Sequence, residues 1–153
     1  MPFNEDGTES EISPQERESK PAFLYHGSNA SGIAEILPQK RYTPGGQEVP
    51  DRIYAGDLPA FAAAHSFPWD SSEGFVLSIE NGRVLFRVPN QFKDRLIQKV
   101  YLYKLESKQF DRTSGEGTGH TYHSIKPIVP TEVKEFNSVP EAIEHFGGKV
   151  TYF

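Results

Sequence analysis

Three stretches of this chain carry side chains suited to holding a flat, polar ligand. His26 closes the apolar run Ala22-Phe23-Leu24-Tyr25 and is followed by Gly27 and Ser28. An imidazole both donates and accepts hydrogen bonds, and a glycine beside it leaves the backbone open to close approach. Tyr54 ends a second run, Arg52-Ile53-Tyr54-Ala55, and its phenol ring suits a flat cationic aromatic. His65 follows eleven positions later, behind the small residues Ala62, Ala63 and Ala64. The third stretch joins a glycine-rich loop holding Glu116 to His120, Thr121, Tyr122 and His123. Other chemistries find less support. His120 and His123 point to opposite faces if they lie on a strand, and no further ligand cluster accompanies them, so no metal site is expected. The Gly115–Gly119 run lacks a phosphate-binding lysine and a following helix, which argues against a P-loop. No Ser-His-Asp arrangement is legible from spacing.

The elements that position these residues can be read from pattern. Ala22–His26 predicts a first strand. Ile33, Ile36 and Leu37 recur at helical spacing, with Pro38 ending the run, which predicts a short helix. Gln39–Asp51, with Pro44, Gly45, Gly46 and Pro50, reads as a long loop bordering a site. Arg52–Ala55 is the second strand, and a helix starts at Asp57 with Pro59 in its first turn and ends before Pro68. Then come Phe75–Ile79, Arg83–Val88, Val100–Leu105, Tyr122–Ile125 and Val133–Phe136 as strands, the first two joined by an Asn81-Gly82 hairpin turn. Ser138-Val139-Pro140-Glu141 has the form of a capping box, so Pro140–His145 should be a helix closed by Gly147. The sum is an α+β domain with helices clustered in its first half.

Composition bounds the rest. The 153 residues fit one domain with a core of its own. With no cysteine, disulfides, thiol catalysis and Cys-ligated zinc are excluded. No apolar run approaches the roughly 20 residues that span a bilayer, and the N-terminus is acidic, so a soluble, unsecreted, cytoplasmic protein with no membrane partner is expected. A formal charge of −5 argues against a broad nucleic-acid surface. Residues 1–21 hold little apolar side chain beyond Phe3 and Ile12 and read as a disordered tail; residues 22–153 form the domain.

The two segments Leu24-Tyr25-His26-Gly27-Ser28 and Arg52 to Phe67 together resemble the ADP-ribosyltransferase superfamily, in its His-Tyr-Glu branch of diphtheria-type toxins and poly(ADP-ribose) polymerases. The resemblance implies a split β-sheet and NAD as substrate. It implies that His26 bonds the adenosine-side ribose, that the Gly27 backbone, next to Ser28, holds the nicotinamide carboxamide, and that Tyr54 stacks on the nicotinamide ring. His65 falls where the family closes the other face of that ring with an aromatic residue. The family's glutamate opens a late strand before a tyrosine. In His120-Thr121-Tyr122-His123-Ser124-Ile125-Lys126-Pro127, Tyr122 matches that tyrosine and Thr121 stands at the glutamate position. Glu116, in the loop before, is the nearest carboxylate able to take that role.

Three functions are consistent with this pattern. An ADP-ribosyltransferase-like enzyme would transfer a single ADP-ribose to a protein or nucleic-acid acceptor, or hydrolyse NAD slowly; polymer synthesis is disfavoured by Thr121. A non-catalytic module would keep the cleft for a nucleotide or an ADP-ribosylated partner. A relative of the NAD-dependent RNA 2′-phosphotransferases would need arginines at the cleft, for which Arg41 and Arg52 are the candidates.

Overall fold

The computed structural model describes residues 20–42, 48–113 and 119–153. Strand β1 (Phe23–Ser28) lies between two layers because its side chains alternate. Leu24 is fully buried on one face, while Tyr25 packs on the other. Along its whole length β1 pairs antiparallel with β6 (Val100–Glu106), from Phe23 opposite Glu106 to Ser28 opposite Tyr101. β6 pairs onward with β9 (Glu132–Phe136). On its other side β1 meets β3 (Glu48–Gly56) at one registered pair, Tyr25 opposite Gly56. β3 continues to β8 (Thr121–Ser124), which pairs with the two-residue β7 (Asp111–Arg112), and the first half of β3 pairs with β2 (Gln39–Tyr42). These seven strands make one sheet, all of whose pairings are antiparallel.

A second sheet of three strands joins β4 (Val76–Glu80) and β5 (Arg83–Val88) through Asn81 and Gly82, whose positive φ values of 53° and 76° match a type I′ hairpin turn. β10 (Lys149–Tyr152) adds to β5 in parallel. Helix α1 (Pro59–Ala64) buries all of Ala60–Ala64, and its small side chains let it settle on β1 so closely that a Cβ on Gly27 would collide with the carbonyl oxygen of Ala62. Helix α2 (Val139–His145) is capped by Ser138, whose hydroxyl accepts from the Glu141 amide at 3.2 Å, and Gly147 follows it at φ 86°. Two 3₁₀ turns, Ser71–Glu73 and Asn90–Leu96, complete the elements. Apolar burial divides accordingly. One cluster joins both helices to the three-stranded sheet through Phe67, Phe86, Val139 and Ile143; the other, behind the large sheet, is built on Leu24, Ile53, Tyr103, Leu105 and Tyr122.

The α+β class stands, and the large sheet is the one that carries β1 and β3. Several local expectations are corrected. The segment holding Ile33, Ile36 and Leu37 forms no helix: Ile36 exchanges backbone hydrogen bonds with Ile128 at 2.8 and 3.0 Å. Gly32 at φ 68° and Pro38 leave too few residues between them to nucleate a helix, and the bridge to Ile128 satisfies the backbone instead. Of the expected loop Gln39–Asp51, residues 39–42 and 48–51 are paired strand and residues 43–47 lie outside the described residues; where β2 and β3 shift register, Pro50 and Asp51 oppose the single Lys40, which accommodates the missing proline amide. Helix α1 begins at Pro59 rather than Asp57. Helices are not concentrated in the first half, which holds only α1 among its described residues. The expected tail falls mostly on residues 1–19, outside the described residues; at its end, Lys20 Nζ donates to the Phe110 carbonyl at 2.6 Å and the Ser107 hydroxyl to that of Pro21 at 2.5 Å.

Candidate functional site

The β1–β3 ladder stops one residue before His26. The Ala22 carbonyl accepts from the Ser107 amide at 3.0 Å, so even-numbered residues of β1 turn their backbone groups toward β6 and odd-numbered ones toward β3. Tyr25 uses that direction to pair with Gly56. Gly27, the next odd residue, therefore aims its amide and carbonyl at the opening between the strands. The position is held by packing as well, since only glycine fits beneath Ala62.

Two cavities share walls at that opening. The first, about 400 Å³, is walled by Tyr25, His26, Gly27, Tyr54, Ala55, Gly56, Phe61, Ala62, His65 and Thr121. The second, about 410 Å³, is walled by His26, Ser28, Ile33, Glu35, Ile36, Leu37, Gln39, Arg52, Ile53 and Tyr54. Both volumes lie in the range of small-molecule sites. His26 and Tyr54 line both cavities, and the His26 Nδ1 lies 2.7 Å from the Tyr54 main-chain oxygen. A carbonyl oxygen only accepts, so Nδ1 carries the proton and Nε2 of the neutral ring is an acceptor. Burial lowers the His26 pKa below its ordinary value, against the opposing pull of that hydrogen bond, and keeps the ring neutral at pH 7.

His65 caps the end of α1 and reaches the first cavity. Its ring meets Phe61 edge-on at 4.9 Å and stacks on Trp69 at 5.4 Å with an interplanar angle of 18°. One edge of the ring is open to solvent, yet the crowding of its faces brings its pKa down to about 4. The ring is therefore neutral at pH 7. A neutral ring has no charge to offer the helix dipole. Behind it runs a row of rings: Trp69 on Phe75 at 5.4 Å, Phe75 on Phe92 at 5.5 Å, and the Arg95 guanidinium 4.3 Å from the Phe92 centroid, itself paired with Glu73 at 2.6 Å. Trp69 Nε1 also donates to the Ala64 carbonyl at 2.7 Å, tying this row to α1. The signal for this brace in the sequence is a tryptophan and a phenylalanine, Trp69 and Phe75, bracketing a polar turn.

The third stretch arrives only in part. Thr121 pairs with Gly56 across β3 and β8 and lines the first cavity. Tyr122, matched to the family's tyrosine and expected at the cofactor site, is turned by strand alternation to the opposite face, where it is 1% exposed among Leu24, Ile53 and Tyr103, and it lines neither cavity. Glu116 lies outside the described residues. His120 and His123 go to separate partners: His120 Nδ1 is 2.8 Å from Asp57 Oδ1, and His123 Nδ1 is 2.8 Å from Thr113 Oγ1. Asp57 is thus held by His120, the residue before β8, instead of capping a helix. Ser28 lines the second cavity, its hydroxyl accepting from the Ala30 amide at 3.0 Å. Arg52, weighed in the sequence only for an RNA-processing enzyme, stands in the wall of that cavity and donates through Nη1 to the Tyr54 hydroxyl at 3.4 Å.

No helix among the described residues is long and apolar enough to cross a membrane. Comparison with known proteins leaves the site to be judged on this geometry, since no family model, no curated protein and no solved structure matches the chain.

Proposed function

We propose that this chain is an ADP-ribosyltransferase-like domain that binds NAD in the two joined cavities. The observation that carries the reading is the pairing of His26 with Tyr54 where the β1–β3 ladder ends, with both residues lining both cavities. In this reading the nicotinamide ring enters the first cavity, against Tyr54 and His65. The pyridinium is flat and cationic, so aromatic walls favour it and a neutral His65 does not repel it. The Gly27 amide and carbonyl, aimed at the same opening, match the carbonyl and amine of a carboxamide. Nε2 of His26, an acceptor, matches a ribose hydroxyl.

Chemistry on the bound nucleotide would be transfer of one ADP-ribose or slow hydrolysis of the nicotinamide–ribose bond, with Glu116 as the carboxylate that stabilises positive charge on the ribose. One observation favours a second reading, a non-catalytic nucleotide-binding module: no carboxylate stands among the described residues that wall the first cavity, where Thr121 takes the position a glutamate would hold. Titration of NAD into the protein, followed by ligand-observed NMR and an assay for free nicotinamide, separates these. Binding with release supports the enzyme, binding alone the module, and no binding ends both.

A further inference from the structure

Arg52, in the wall of the second cavity, carries a buried donor that no described residue satisfies. Its Nε is shielded from solvent and has no hydrogen-bond partner among the described residues, although its neighbour Nη1 reaches the Tyr54 hydroxyl. Such a group is uncommon in a folded protein and marks a place where a partner is missing. A guanidinium is never deprotonated, so Arg52 also places a permanent positive charge in the cavity wall. Among the described residues no carboxylate forms an ion pair with it; the acids that pair elsewhere do so with Arg95, Lys99 and His120. Because the chain as a whole is acidic, this charge is a local feature and not part of a basic surface.

We propose that Arg52 anchors a phosphoryl group, the diphosphate of a dinucleotide, in the second cavity. The proposal deepens the NAD reading and rests on it. Arginine offers Nε and Nη donors in a planar fork that fits two phosphoryl oxygens, and Nε has no partner here among the described residues. Continuity fixes the order of the ligand. His26 and Tyr54 belong to both cavities, so a molecule that places its nicotinamide against Tyr54 must pass His26 to enter the second, and a ribose followed by phosphates is what then reaches Arg52. Glu35, exposed on the same wall, is an acceptor and suits a sugar hydroxyl beyond the phosphates.

The test uses the full chain, as wild type, Arg52→Gln and Arg52→Lys, titrated with NAD, ADP-ribose and nicotinamide riboside. NMR follows the Arg52 Nε–H signal and the ligand affinities. In the wild type, NAD and ADP-ribose shift the Nε–H signal, whereas nicotinamide riboside, which has no phosphate, leaves it in place. Arg52→Gln weakens NAD and ADP-ribose about 10-fold to 100-fold, the range for a hydrogen bond to a charged group. Arg52→Lys keeps the charge without the fork and recovers only part of that loss. Nicotinamide riboside binds all three proteins alike. Equal ADP-ribose affinity in the wild type and Arg52→Gln overturns the proposal and leaves the NAD reading standing. Equal weakening of all three ligands also overturns it, because Arg52 then acts by holding Tyr54. Failure of the wild type to bind either NAD or ADP-ribose overturns the NAD reading and the proposal together. If Arg52→Gln does not fold, the wild-type Nε–H shift and Arg52→Lys decide.

Discussion

The imidazole Nδ1 of His26 lies 2.7 Å from the main-chain oxygen of Tyr54, and that contact bridges strands β1 and β3 just beyond their registered pair. It fixes the ring's orientation and its tautomer, because a carbonyl accepts and cannot donate. It also ties the two side chains proposed to hold NAD into one unit.

The first expectation concerns that tautomer. Nitrogen-15 NMR of His26 at pH 7 should show the proton on Nδ1 and a bare Nε2. His26→Ala should weaken NAD binding about 5-fold to 100-fold, the range for loss of a buried hydrogen bond. A proton found on Nε2 would remove the acceptor assigned to the ribose.

Acidification should destabilise the fold through His26 and His65. Both have folded pKa values below the ordinary 6.5, about 4 for His65, so below 6.5 the unfolded chain binds more protons than the folded one. The stability they contribute is present above pH 6.5 and falls as the pH drops toward 4. Urea midpoints measured across that window should decline with falling pH, and the decline should be shallower in His65→Gln, by less than full burial would give because one ring edge is hydrated. An unchanged slope in that variant would show that its ring titrates normally.

Gly27→Ala should make the unliganded protein unfold more easily. The new Cβ meets backbone, the Ala62 carbonyl, so α1 must lift off β1. Overpacking of this kind costs about 1 to 3 kcal/mol, or a fall in Tm of roughly 3 to 10 °C. Calorimetry of the unliganded variant reads this directly, and an unchanged Tm would mean that α1 moves freely.

Binding and turnover should separate at Tyr54 and Glu116. Tyr54→Ala removes the ring proposed to face the nicotinamide and should lower NAD affinity about 5-fold or more, at roughly 1 kcal/mol for a lost aromatic contact. Glu116→Gln should leave affinity unchanged and reduce nicotinamide release, since a carboxylate that grips the charged ribose acts mainly on the transition state. Calorimetric titration and a nicotinamide assay on the same samples check both. Full turnover in Glu116→Gln would leave the reaction without its assigned carboxylate.

What the sequence determined by itself is local. Apolar runs bounded by turn residues marked β1, β5, β6, β8 and β9; Asn81-Gly82 marked its hairpin; and Ser138 with Glu141 marked the start of α2, because each depends on neighbours within a few positions. The residues now joined at the cavities, His26, Gly27, Tyr54, His65 and Thr121, were also legible, as strand ends and a helix end whose side chains suit a flat ligand. Tertiary structure decided everything that depends on partners far along the chain. Ile36 gave up a short helical pattern for a bridge to Ile128, ninety-two positions on. Tyr122 went into the core because pairing with Ala55 sets the alternation of β8. Arg52 acquired a buried, unmatched donor only once β3 was placed between β8, β1 and β2. Periodicity reports which face a residue prefers, but which neighbour waits on that face is settled by strand register, and register is a property of the assembled sheet.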